Sequence, residues 1–311
     1  MGSHDRSSAF TDLTEQALRT VLDETDYVAE DDVVTTLLLT LRLGKPLLVE
    51  GEPGGGKTEL GKVLAEGFDT ELIRLQCYEG LTAENALFEW NYTKQLLSVQ
   101  ADERGVTDGE TVFDEAYLLE RPLLCAINQD GETPPVLLID EVDRADEEFE
   151  ALLLEFLSDF QLSIPEYGTV RAETPPVVII TSNRTRGLSD ALKRRCLFLH
   201  IGTPNFEKER EIVRRKVPEL DGDTVAELVG VTQRLRDETL LKQPGIAETL
   251  DWARAIAELR EGDDDGLSRS DIEHTLGLLL KEVEDTNRVD NEFVETLLSA
   301  GENARTTGEE L

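Results

Sequence analysis

The stretch Gly51-Glu52-Pro53-Gly54-Gly55-Gly56-Lys57-Thr58 decides how this chain is read. It fits the pattern GxxxxGK[ST]. It stands between a short apolar run, Leu47-Leu48-Val49, and a stretch of helical spacing that extends towards Leu64. Strand, glycine loop and helix are the order that the pattern needs. Glycines let backbone N–H groups converge on an anion where a Cβ would obstruct them, and the helix N-terminus adds its own amides and dipole. Lys57 is expected to reach the outer phosphates of a nucleotide and Thr58 to offer a hydroxyl to Mg2+; the binding set runs on to Glu59. The bland alternative is a glycine turn with an incidental Lys-Thr, and the flanking strand and helix weigh against it.

A second apolar run, residues 136–139, ends in Asp140-Glu141. Carboxylates at the end of a core strand are costly unless something pairs with them. Asp140 is therefore a candidate to hold Mg2+, and Glu141 to take a proton from an attacking water. The chain has 66 acids, so an isolated Asp-Glu pair would mean little; the strand before it and the loop upstream give it weight. A third run, 177–181, continues to Asn183, which is placed to hold a water near the terminal phosphate, although most such asparagines cap turns. Arg194 and Arg195 close a helical stretch and offer guanidiniums to a transferring phosphoryl group. The ordinary reading of such a pair is a basic helix end facing its dipole.

These runs belong to a longer alternation. Strands are expected at 46–50, 71–77, 136–140, 177–181 and 197–201, with helices at 11–23, 32–43, 57–66, 146–157 and 188–194. Residues 10–202 then form an α/β domain with a parallel sheet. After Thr203-Pro204 the strands stop. Helices are expected at 206–216, 224–238, 247–260, 271–283 and 291–300, making 203–311 a small all-α domain. Asp263-Asp264-Asp265 reads as a solvated loop and not as a metal site.

Composition bounds the rest. At 311 residues, 39% hydrophobic and 31% charged, the chain is globular with room for two domains. Sixty-six acids against 31 Lys and Arg give a net charge of −35. Such a field repels phosphate backbones, which argues against nucleic acid, and it needs screening by salt, as in an extreme halophile. Cys77, Cys125 and Cys196 are isolated and odd in number, which suits reduced buried thiols and a cytoplasmic protein. No stretch reads as a signal peptide or a membrane span.

Phosphate loop, Asp-Glu strand, Asn183 strand end and Arg194-Arg195, in that order and followed by helices, resemble AAA+ ATPases. Within them, residues 10–300 look like the MoxR family, in the branch associated with von Willebrand factor A domain proteins. Residues 78–97, with Phe88, Trp90 and Tyr92 alternating, resemble its helix-2 insert. Residues 160–172, turning at Glu166-Tyr167-Gly168, resemble its pre-sensor hairpin. The resemblance implies that ATP and Mg2+ are bound and that Asn183 is the first sensor. It also implies that Arg195, assisted by Arg194, acts on ATP held by an adjacent subunit, and that Val28 packs on adenine. A ring, commonly a hexamer, and a von Willebrand factor A partner with a protein substrate follow from the same resemblance.

One feature departs from the family. Where a second-sensor arginine is expected stands Ile246-Ala247-Glu248-Thr249, and Arg254 is the alternative, or else a surface residue. Two other functions compete: a nucleic-acid motor of the helicase type, against which residues 81–89 and 164–169 contain no Lys or Arg, and a nucleotide-gated scaffold with little hydrolysis, against which Glu141 argues.

Overall fold

Runs of Val, Ile and Leu with no polar break cannot leave either face in water, and in this chain they become the interior strands of a parallel sheet. The computed structural model describes residues 9–102, 115–129, 131, 133–259 and 266–308. It divides into two compact units: one takes residues up to 25, 29–51 and 57–200, the other takes 26–28, 52–56 and 201–311.

The first unit begins with α1 (Glu15–Glu24) and α2 (Asp31–Leu43), then β1 (Leu47–Gly51), α3 (Lys57–Gly67) and β2 (Leu72–Gln76). It continues through α4 (Ala83–Ala86), β3 (Phe88–Trp90), α5 (Tyr92–Asp102), β4 (Leu118–Glu120), α6 (Pro122–Ile127) and β5 (Val136–Asp140). Then come α7 (Glu147–Asp159), β6 (Gln161–Ile164), β7 (Gly168–Arg171), β8 (Val177–Ser182), α8 (Asp190–Arg195) and β9 (Leu197–Ile201). The five-stranded sheet has the order β2-β5-β8-β1-β9. β5 and β8, in its interior, are buried at every position, while edge strand β2 alternates, with Arg74 and Gln76 outward. The parallel register sets Gln76 opposite Asp140, Ile139 opposite Ile180 and Val49 opposite Thr181. The polar residues therefore gather at the carboxyl ends of the strands, where open α/β sheets bind their ligands. Beneath them lies a core that includes Leu137, Ile139, Val178, Ile180, Phe149 and Phe156.

The second unit is helical: α9 (Phe206–Lys216), α10 (Gly222–Arg236), α11 (Ile246–Leu259), α12 (Arg269–Thr275), α13 (Val283–Thr286) and α14 (Asn291–Gly308). Its core surrounds fully buried Trp252, whose Nε1 donates to Thr275 Oγ1 at 2.6 Å. α10 and α14 meet at small residues; a Cβ on Gly230 would lie 2.5 Å from Ala304 Cβ and 2.9 Å from Ala300 O. Glu209 of α9, with no exposed surface, pairs with Arg236 of α10 at 2.6 Å and also accepts from Gln233 and Thr249.

Within residues 78–97, β3 pairs antiparallel with the distant β4, and Tyr92 opens a helix. A three-residue strand whose partner lies beyond a helix leaves no local pattern to read. The helix expected at 271–283 breaks into α12, a 3-10 turn Leu276–Leu278 containing Gly277, and α13, since glycine is a poor helix former. Helix 11–23 begins only at Glu15, because Thr14 caps the amide of Ala17; helix 188–194 begins at Asp190, because Ser189 caps that of Leu192. The last helix runs on to Gly308. Within 160–172, β6 and β7 pair antiparallel, with Ile164 opposite Gly168. Asp263-Asp264-Asp265 lies outside the described residues. Among those that are described, no helix is long and apolar enough to cross a membrane.

Candidate nucleotide site

The phosphate loop is a turn that glycine makes possible. Gly55 N donates to Glu52 O at 3.2 Å, and Gly54 and Gly56 have φ of +79° and +84°. A side chain is strained at either. A Cβ on Gly55 would lie 3.2 Å from Glu52 O, a tight contact, whereas around Gly56 the space is open. Glu52, Pro53 and Gly54 are exposed; Glu59, one turn into α3, is half-buried. Lys57 is buried and its Nζ donates to Gly51 O at 2.9 Å, so the ammonium is held back over the end of β1.

Thr58 and Asp140 meet. Thr58 Oγ1 lies 3.0 Å from Asp140 Oδ1, and Asp140 is 3% exposed. Thr181 of β8 donates its hydroxyl to the same carboxylate and accepts from Glu141 N at 3.0 Å, tying the two acids to one strand. Glu141 has φ of +54°, rare for a residue with a Cβ and the sort of strain that collects at functional sites. Its carboxylate accepts from Asn183 Nδ2 at 3.3 Å and from Gln76 Nε2 at 3.2 Å, and Arg144 pairs with it at 2.9 Å. Asn183 is positioned in turn by Asp143, which accepts from the amides of Asn183 and Thr185 and from the Thr185 hydroxyl. Burial pushes the Asp143 carboxyl up, but the Thr185 hydroxyl and these amides outweigh it and hold the group below its usual value.

The structure thus joins Thr58, Asp140, Glu141 and Asn183 in one cluster, with Lys57 beside Thr58 in the chain. It also supplies residues that sequence reading missed: Arg74 and Gln76 on β2, Thr181 on β8, and Asp143. The signal for the first two was the outward alternation of β2; Thr181 was hidden inside an apolar strand. The arginine pair stands apart. Arg195 is half-buried with Nη1 donating to Leu154 O at 2.6 Å, and Arg194 is exposed; neither hydrogen-bonds to the acid cluster. Val28 is half-buried and belongs to the second unit, whereas the acid cluster belongs to the first. Arg254 is exposed and pairs with Asp251 at 3.3 Å.

The donor set fits a nucleotide polyphosphate with a hard cation. Within the first unit, one ammonium (Lys57), one hydroxyl (Thr58) and one buried carboxylate (Asp140) are the ligand chemistry that Mg2+ and phosphate oxygens use. Among the described residues, no three His, Cys, Asp or Glu are grouped to hold a metal by themselves, so a cation here would need other ligands, from nucleotide or water. All three cysteines are free, Cys77 buried and the other two half-buried. Burial, with the acids of the site, pushes the Cys77 thiol up to about 12, and burial does the same to Cys196, to about 12.

A glycine loop leaving the first strand of a parallel sheet, with an acid pair and an asparagine ending two neighbouring strands, defines a P-loop fold of the AAA+ type, carried here with a helical C-terminal region. Residues 46–196 match the family model of the AAA domain, dynein-related subfamily. The chain is 24% identical over 245 residues to an uncharacterized protein of Staphylococcus saprophyticus, covering 76% of this chain and 85% of that one. An uncharacterized protein of Staphylococcus haemolyticus is also 24% identical, covering 76% and 84%. Among solved structures, a variant of RuvB from Thermotoga maritima superposes with a TM-score of 0.51 at 18% identity, over 87% of this chain and 74% of that one.

Proposed function

We propose that this chain binds Mg-ATP through Gly51 to Glu59 and hydrolyses it, with Glu141 accepting the proton of the attacking water. One observation carries the reading: Thr58 is hydrogen-bonded to Asp140, and the neighbouring Glu141 is gripped by Asn183. When bound, Mg2+ supplies positive charge to the phosphate oxygens, and Thr58 and Asp140 are the residues that would hold it. Lys57 neutralises charge on the outer phosphates. Asn183 Nδ2 fixes the direction of Glu141 Oε1, so that the base meets water in one orientation.

Within this reading the chain is a MoxR-like, ring-forming ATPase, a hexamer in the cytoplasm of a halophile. It remodels protein complexes with a von Willebrand factor A domain partner, and Arg195 and Arg194 complete the site of an adjacent subunit. The net charge of −35 supports the high-salt setting and a protein client over a nucleic acid. The β6–β7 turn, Pro165-Glu166-Tyr167, carries no cation for a phosphate backbone. The likeness to RuvB extends to the fold alone.

The test is calorimetry with ATP and Mg2+ in multimolar KCl, beside phosphate release. Binding that is lost in Lys57→Ala is the expected result. No uptake by the wild-type chain would overturn the reading, and turnover stimulated by DNA would replace the protein client with a nucleic-acid track.

A further inference from the structure

Asp140 already faces a cation. Arg74 projects from an outward position of edge strand β2, and its Nη2 lies 2.5 Å from Asp140 Oδ2 and 2.9 Å from Gln76 Oε1. The two threonine hydroxyls satisfy lone pairs of Asp140 but cancel none of its charge. A carboxylate 3% exposed needs a counter-charge, and the guanidinium provides it. Arg74 is the more exposed partner of the two: its side chain is 49% exposed against 4% for that of Asp140, and among the described residues no strand pairs with the far side of β2.

We propose that Arg74 is a tethered counter-ion that holds Asp140 until a divalent cation takes its place, so that metal binding displaces the guanidinium. The inference rests on the reading of Asp140 as a metal ligand. Two cations on one carboxylate repel, and the one on a flexible exposed stem is the one that yields. The displacement has a second consequence. Arg74 holds Gln76 by its carbonyl oxygen, which turns the Gln76 amide nitrogen towards Glu141 Oε2 at 3.2 Å. Once Arg74 leaves, that constraint on Gln76 is gone, and arrival of the metal at Asp140 is felt at Glu141. Arg74 is therefore a positioning residue for the base as well as a competitor for the metal site.

The experiment titrates the full chain with Mn2+ in KCl, following free Mn2+ by its EPR signal, with and without a non-hydrolysable ATP analogue. Arg74→Gln should bind Mn2+ roughly three- to tenfold more tightly than wild type, and Arg74→Lys, which keeps a charge without the fork, should fall between. Melting curves accompany each titration. Arg74→Gln should melt lower without metal yet gain more from Mn2+ than wild type does. Unchanged or weaker Mn2+ binding in a folded Arg74→Gln, with wild type binding normally, overturns the inference and leaves the ATPase reading intact. No Mn2+ binding by wild type even with the analogue overturns both.

Discussion

Thr58 Oγ1 lies 3.0 Å from Asp140 Oδ1 across 82 residues of chain. The helix that follows the glycine loop and the strand that ends at Asp140 are thereby fixed to each other by a hydroxyl and a carboxylate. The structure needs no movement of β5 to bring these two groups together.

Glu141→Gln should leave ATP binding within about twofold of wild type and lower turnover by roughly 100-fold or more, as expected for loss of a general base. Calorimetry and phosphate release on the same sample separate the two effects. Asn183→Ala should lower turnover by a smaller factor, since Gln76 and Arg144 still hold Glu141. Turnover that survives in Glu141→Gln would assign the base elsewhere.

Arg195 and Arg194 separate by stability. Arg195→Ala removes the hydrogen bond to Leu154 O and should cost about 1–2 kcal/mol in denaturant melts, while exposed Arg194 should cost less than about 0.5. If Arg195 serves an adjacent subunit, mixing Arg195→Ala with Lys57→Ala chains restores part of the hydrolysis that each lacks alone. Mixed rings with no recovery would place that role in cis or on another arginine.

Arg236→Ala strands Glu209, which has no exposed surface, and should destabilise the second unit by about 3–5 kcal/mol. Replacing Glu209, Arg236 and Thr249 together by apolar residues should recover much of the loss, because no buried charge is then left unpaired. A small effect of Arg236→Ala alone would show that water reaches Glu209.

The thiols give a pH signature. With Cys77 and Cys196 pushed from 9.0 up to about 12, the folded chain keeps protons that the unfolded chain releases. Their contribution to stability is therefore complete below pH 9.0 and is lost as pH rises towards about 12. At neutral pH a thiol reagent should label Cys77 only as fast as the protein opens. Labelling at the rate of a free thiol would contradict the burial of Cys77.

The sequence by itself determined the strands at 136–140 and 197–201, the helix at 206–216, the phosphate loop, and the candidacy of Asp140, Glu141 and Asn183, because apolar period, glycine spacing and misplaced acids are local signals. Only the tertiary structure decided that β3 pairs with β4, that Thr181 ties Asp140 to Glu141, and that Arg74 and Gln76 stand over both acids. Register between strands distant in the chain depends on how whole faces pack. No short window of residues records which side chains that packing will set against each other.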